Sequence, residues 1–396
     1  MAERVPAAIA ATDEEVEHLA VRLRPHFRRG AGHRHALAYV RGLLAAVERK
    51  NGWQLAEHAG YTHPRTIQRV LDRSRWDAAA VQEDLQAHVA AALGDPAGVL
   101  VVDETGFVKK GAHSCGVGRQ YSGTAGRIEN CQISVFLGYA SPKGRAGLDR
   151  ALYLPREWAE DPGRRTQTGV PEAVAFRTKP QLALAMIERA LDAGVPAQWV
   201  VADAVYGSDS KFRRGLEDRG QAYVVGVKST EKPSTWPPYG LPGQHAVTSL
   251  RARLAADAWQ RLSCGAGAQG ERLYDWGYVP LRPALRDGWV HALLIRRHPV
   301  ETEEIAYYLV YAPVEASLRE IVRAAGSRWE IEEVFQLAKG EVGLDHYEVR
   351  SWAGWYRHMT LALVALAVLV AGIAKGGMSR QPTSWSRSAS RSCAGC

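Results

Sequence analysis

The spacing of apolar positions changes along this chain, and the changes divide it. Over residues 1–95 the spacing is helical: Leu37, Val40, Leu44 and Val47 recur at three- and four-residue intervals, with Arg41, Arg49 and Lys50 around them. Residues 52–71 predict a short helix, a turn at Gly60 and a second helix opened by Thr62 and Pro64. That is the pattern of a helix-turn-helix whose second helix presents Arg65, Gln68 and Arg69 outward. A plain helical hairpin packed on the rest of the chain accounts for it equally well. Gly94, Asp95 and Pro96 break the helical pattern. Beyond them the apolar residues come in short continuous runs. Val99, Leu100, Val101 and Val102 end in Asp103; Trp199, Val200, Val201 and Ala202 end in Asp203; residues 133–139 and 222–227 are similar. Runs of this kind, rich in β-branched residues, predict buried strands. Amphipathic stretches at 181–193 and 212–219 predict helices between them, so residues 96–230 are expected to form an α/β domain.

From residue 231 to 305 the texture changes. Pro233, Pro237, Pro238 and Pro242 open it, and residues 272–280 and 289–297 have strand character, which predicts a mostly β insertion. Residues 307–311 resume the core sheet and a single long helix is predicted over 317–342, within a second core segment at 306–375. The longest apolar run, residues 359–374, falls short of the roughly 18–20 residues of a membrane span. A buried core helix is expected there, and no membrane. Residues 376–396 are polar and basic and predict a disordered tail. They also suit a frameshift scar: with GC-rich codons, a one-nucleotide shift turns residues 385–396 into an ordinary amphipathic ending.

Composition narrows the class without naming a function. The chain has 396 residues, 46% hydrophobic and 23% charged, which excludes a disordered chain and leaves room for two or three domains. The formal net charge of +8 suggests a polyanionic partner but is weak alone. Five irregularly spaced cysteines build no disulfide framework and fit a reducing cytoplasm. Cys393 and Cys396 have zinc-type spacing without a second ligand pair. The acidic, alanine-rich start does not resemble a signal peptide.

The candidate chemistry lies in carboxylates. Asp103 and Asp203 follow apolar runs, and Glu332 shares a helical stripe with Gln336 and Lys339, opposite Ile331, Val334 and Phe335. Carboxylates converging on one face hold hard divalent cations, a common means of attacking phosphodiesters. An exposed helix laced with Glu–Lys pairs explains the third carboxylate as well. Glu104, Glu330, Glu333 and Asp209 are rivals, chiefly Glu333. The glycine-rich residues 118–126 lack the Gly-Lys-Ser/Thr ending of a nucleotide loop and predict a turn beside the site.

The residues around these acids closely resemble DDE-type transposases of bacterial insertion sequences, of the IS-four-like class. The resemblance is carried by Val101-Val102-Asp103-Glu104-Thr105-Gly106, by Asn130-Cys131-Gln132, by Asp203-Ala204-Val205-Tyr206-Gly207 as Asp-x-x-Tyr-Gly, and by Arg328, Glu332 and Lys339 as Arg-x3-Glu-x6-Lys. It runs from about residue 36 to about 375, with one departure, Ala325, where the signature has tyrosine. The resemblance implies an α/β, RNase H-like catalytic core interrupted by the β insertion and preceded by an all-helical DNA-binding domain. It implies Asp103, Asp203 and Glu332 as catalytic ligands of two Mg²⁺ ions, with Mn²⁺ a substitute. Arg328 and Lys339 would contact DNA phosphates. Lys109 and Lys110, just after the first aspartate, suit further phosphate contacts or equally a solvated turn, and Arg65 and Arg69 suit DNA contacts from the N-terminal domain. Double-stranded DNA is the implied partner, held by a homodimer. One of Trp236, Trp259, Trp276 and Trp289 would stack on a flipped base, although core tryptophans explain them too. Two other readings remain: a catalytically inactive or domesticated DNA-binding protein, and a phosphohydrolase with Asp103 as nucleophile, which needs an Asp-x-Asp pair where position 105 is threonine.

Overall fold

The computed structural model describes residues 4–267 and 270–376. Five helices come first: α1 (Arg4–Leu23), α2 (Gly30–Leu44), α3 (Gly52–His58), α4 (Arg65–Asp72) and α5 (Ala78–Leu93). Side-chain caps fix two of their starts. Asn51 accepts the Trp53 and Gln54 N–H groups at α3, and Asp77 those of Ala79 and Ala80 at α5. Leu55, Ile67, Val70 and Leu71 turn inward, leaving Arg65, Gln68 and Arg69 exposed on α4 as expected.

The next segment runs β1 (Val99–Val108), β2 (Gly118–Ser122), β3 (Arg127–Ser141), β4 (Gly144–Leu152), α6 (Arg156–Ala159), α7 (Pro162–Thr168), α8 (Lys179–Asp192), β5 (Trp199–Ala202), α9 (Ala204–Gly207), α10 (Ser210–Asp218) and β6 (Tyr223–Val227). β1 pairs antiparallel with β3 and parallel with β5, β6 is parallel to β5, and β4 is antiparallel to β3. The expectation that Asp103 ends its strand is corrected. β1 continues to Val108, because β3 supplies pairing partners as far as Cys131.

After β6 come β7 (Ser234–Thr235), β8 (Gly243–Gln244), α11 (Val247–Ala252), β9 (Trp259–Gly267), β10 (Gly270–Pro283), β11 (Trp289–Arg297) and β12 (Ile305–Pro313). This stretch is mostly β, but its long strands do not stand apart. β12 pairs with β6, and β11, β10 and β9 follow, giving one ten-stranded sheet in the order β2-β3-β1-β5-β6-β12-β11-β10-β9, with β4 on β3. The single helix predicted over 317–342 is two, α12 (Leu318–Ser327) and α13 (Glu330–Gly340). At the join, Arg328, Trp329 and Glu332 donate their N–H groups three residues back, to Ala325, Gly326 and Trp329, so the helix tightens and turns.

The last helix, α14 (Trp352–Lys375), is long and apolar enough to cross a membrane, yet most of it is buried against α1, α2, α5 and β4. It is the expected core helix, begun earlier than the apolar run because Ser351 caps it. The tail expectations and the Cys393/Cys396 pair fall at 377–396, outside the described residues.

Candidate active site

The parallel pairing of β1 and β5 sets the site. Val102 lies opposite Ala202, so Asp103, within β1, and Asp203, just past the end of β5, lie side by side. Asp203 caps α9, accepting the Val205 N–H at 2.9 Å. The Asp-x-x-Tyr-Gly pattern now has a physical reason. α9 lies so close to β6 that a Cβ at Gly207 would meet the Gly226 carbonyl at 2.0 Å. Tyr206, fully buried, donates its hydroxyl to Glu104 Oε2 at 2.5 Å.

Side-chain alternation along β1 sorts the acids. Glu104 faces α8 and α9, held by Tyr206 and by Lys179 Nζ at 2.5 Å. Asp103 and Thr105 face α13. Arg328 sits there between carboxylates, its Nη1 3.7 Å from Asp103 Oδ2 and its Nη2 3.3 Å from Glu332 Oε1. Lys339 donates to Thr105 Oγ1 at 2.8 Å, and Thr105 meets Thr124 at 3.2 Å. Thr124 belongs to the turn at residues 123–126 between β2 and β3, which lies beside Thr105, while residues 118–122, expected to be part of that turn, form the strand β2 because they pair with β3.

The other rivals are engaged elsewhere. Arg145 on β4 pairs with Glu330 at 2.6 Å and with Glu333. Asp209 caps α10 through the N–H groups of Lys211 and Phe212. Glu332 alone of the α13 glutamates joins the Asp103 side through Arg328. The seat of α13 is equally specific: buried Ile331 lies over Gly138 of β3, where a Cβ would meet Ile331 Cδ1 at 2.6 Å.

The expected phosphate contacts divide. Arg328 and Lys339 lie at the site. Lys109 is half-buried, its Nζ 3.6 Å from the centroid of the Tyr347 ring, and burial pulls its pKa down to about 8. It is committed to that ring instead of extending into solvent, whereas Lys110 is exposed. Arg65 and Arg69 are exposed on α4. Of the four tryptophans, Trp276 is core, Trp259 and Trp289 are half-buried beneath Arg297 and Arg286, and Trp236 is exposed. Ala325 is buried on α12 and offers no hydroxyl. Lys179 and Arg145 escaped the sequence reading. Thr178 and Gln181 form a capping box that marks the start of α8, but nothing local shows that Lys179 reaches Glu104.

Among the described residues, no three or more His, Cys, Asp or Glu side chains converge closely enough to hold a metal ion as they stand. The guanidinium of Arg328 lies between Asp103 and Glu332. The donor chemistry nonetheless fits a hard divalent cation. Burial, then the charge of Asp203, raises the Asp103 carboxyl to a pKa of about 7, and burial raises that of Asp203. These are carboxylates short of positive charge, and a divalent cation is the partner that relieves them.

A family model described as DDE superfamily endonuclease matches residues 22–277, a stretch that includes Asp103 and Asp203 and stops before Glu332. A curated relative, the "Probable transposase for insertion sequence element IS701" of Microchaete diplosiphon, is 29% identical over 211 residues, 52% of this chain and 50% of that protein. The chain thus spans about half the length of that relative. Among solved structures, the NurA nuclease of Sulfolobus solfataricus aligns over 68% of this chain and 92% of its own, with a TM-score of 0.26 and 10% identity, a likeness too distant to bear on fold or chemistry.

Proposed function

This chain belongs to the DDE superfamily of endonucleases, and from that premise we propose that it is a metal-dependent DNA transposase. It cuts DNA at the ends of a mobile element and joins those ends to target DNA. The observation that carries this reading is that Asp103 on β1 and Asp203 just past the adjacent parallel β5 lie side by side, with Arg328 bridging Asp103 to Glu332. The strand order β4-β3-β1-β5-β6, with β1, β5 and β6 parallel and β3 antiparallel, supports an RNase H-like core. With the short β2 set aside, Asp103 is then on the first strand of that core and Asp203 follows the fourth.

Asp103, Asp203 and Glu332 are the residues to hold two Mg²⁺ ions, or Mn²⁺ in their place. Bound there, the ions supply the Lewis acidity that activates a water or a DNA 3′-hydroxyl and stabilises the leaving oxygen. Arg328, once released from the carboxylates, and Lys339 orient the scissile phosphate through charge-assisted hydrogen bonds. Thr105 on β1 holds the Lys339 ammonium until DNA arrives. Arg65, Arg69 and Lys110 offer backbone contacts outside the site, and pairing of two element ends calls for a homodimer on DNA.

The test is strand cleavage of duplexes carrying the element's ends. Asp103→Asn, Asp203→Asn and Glu332→Gln should each abolish Mg²⁺-dependent cleavage while binding of the same duplex persists. Cleavage surviving in all three variants would overturn the assignment.

A further inference from the structure

Arg328 and Glu332 are four residues apart, a spacing at which an arginine and a glutamate on one helix surface pair as a matter of course. This arginine does more. Its Nη2 takes Glu332, and its Nη1 reaches Asp103 on β1, so one guanidinium spans acids from two different elements. Among the described residues, no other basic side chain forms an ion pair with Asp103, Asp203 or Glu332. Lys339, the second cation at the site, donates to the Thr105 hydroxyl instead. The backbone beneath Arg328 is held from the far end of the sheet. Arg272 on β10 donates to the Gly326 carbonyl at 3.2 Å and to the Cys264 carbonyl at 3.4 Å, and both of those residues are buried where α12 meets β9. Arg328 follows two residues after Gly326 and extends over the carboxylates from that anchored point.

A hard cation shared by Asp103 and Glu332 needs their oxygens about 2.0–2.6 Å from a single centre. The guanidinium lies in the space between those two acids, and its charge repels an incoming ion as well as obstructing it. Being part of the same chain, it is a competitor that is always present. A guanidinium keeps its proton at any ordinary pH, so a change of pH does not remove it. What removes it is another anion that engages both of its nitrogens, and a phosphate does so bidentately. The strand that this site is proposed to cut carries that group.

We propose that Arg328 bars divalent cations from the carboxylates until a DNA phosphate draws its guanidinium away, so that cation binding is conditional on substrate. The role given to DNA rests on the function proposed above. The experiment measures Mn²⁺ binding to the full chain from the paramagnetic resonance of the free ion, with and without a duplex carrying the element's ends. Asp103→Asn/Asp203→Asn with the same duplex supplies the background. Without DNA, Arg328→Gln should bind Mn²⁺ on the order of tenfold more tightly than wild type. The duplex should raise wild-type affinity by a like factor and leave that variant little changed. Arg328→Lys, which keeps the positive charge, should stay near wild type without DNA. DNA-free affinity in Arg328→Gln no higher than in wild type overturns the bar, and so does a lysine variant that binds as tightly as the glutamine one. If the glutamine variant does not fold, the wild-type pair decides: equal Mn²⁺ affinity with and without duplex overturns the bar. In each of these cases Mn²⁺-dependent cleavage by wild type leaves the proposed function standing. That function falls instead if wild type with its duplex binds no more Mn²⁺ than the double aspartate variant.

Discussion

Glu330, Glu332 and Glu333 occupy one turn of α13 and look interchangeable in sequence, yet they point to different partners. Arg145 takes Glu330 and Glu333, and Arg328 takes Glu332. Arg145→Gln should leave two half-buried carboxylates without a counter-charge and cost about 1–2 kcal/mol, discounted for their partial exposure. Arg145→Lys should recover part of this. Urea denaturation at neutral pH measures it, and an unchanged midpoint for the glutamine variant would show the pairing to be inert. Residue types and motif register sufficed to single out Asp103, Asp203 and Glu332 as candidates. The directions of their side chains were not legible. They depend on Arg145, nearly two hundred positions from α13 in the chain, and on which face of β1 each residue occupies. Lys109 shows the same limit: its type suited a phosphate, and only tertiary packing laid it on Tyr347.

At the scale of elements, the seat of α13 on the sheet is the feature most open to test. Gly138→Ala places a Cβ 2.6 Å from Ile331 Cδ1 in a close-packed contact. Overpacking of this kind typically costs about 1–3 kcal/mol. The variant should melt earlier and should cleave DNA more slowly, because the helix carrying Glu332 and Lys339 is pushed off its seat. Wild-type stability and cleavage together would mean that α13 docks elsewhere. Strands were readable because their apolar runs are short and bounded by turn residues. The division between α12 and α13 was not. Apolar spacing continues across it, from Ile321, Val322 and Ala325 to Ile331, Val334 and Phe335, and only the backbone hydrogen bonds record the turn. Gly326 has its own reason, since a Cβ there would strike the Cys264 carbonyl of β9 at 1.9 Å.

Over the whole molecule, the helical N-terminal segment and the sheet domain share one continuous core. Lys50 donates to the carbonyls of Leu43, Ala45 and Glu341, tying the α2–α3 connection to the end of α13. Buried His358 sits between the two parts, its Nδ1 2.8 Å from the Tyr39 hydroxyl and its Nε2 3.2 Å from the Leu344 carbonyl. The carbonyl requires a proton on Nε2, which leaves Nδ1 to accept from Tyr39, so this arrangement suits a neutral ring. Burial pulls its pKa down to about 4. Above about pH 6.5 the ring is neutral in both states and its contribution is complete; as pH falls toward about 4 the unfolded chain takes up a proton that the folded chain refuses. The loss should total about 3 kcal/mol and then level off. Denaturation midpoints across this range should fall less steeply in His358→Gln than in wild type. Parallel curves would deny His358 that part. The β-rich texture of residues 231–305 was legible from composition. Its merger into the main sheet was not, because it depends on β12 pairing with β6 across some eighty intervening residues.

Arg328 gives the carboxylate face a counter-ion of its own. Small zinc modules remain unfolded until the metal arrives, so assembly and loading are one event. Here the Arg328 guanidinium already lies between Asp103 and Glu332 in the folded chain. If the carboxylates take a metal as proposed, folding and loading would be separate equilibria, and loading would amount to a local exchange of one cation for another.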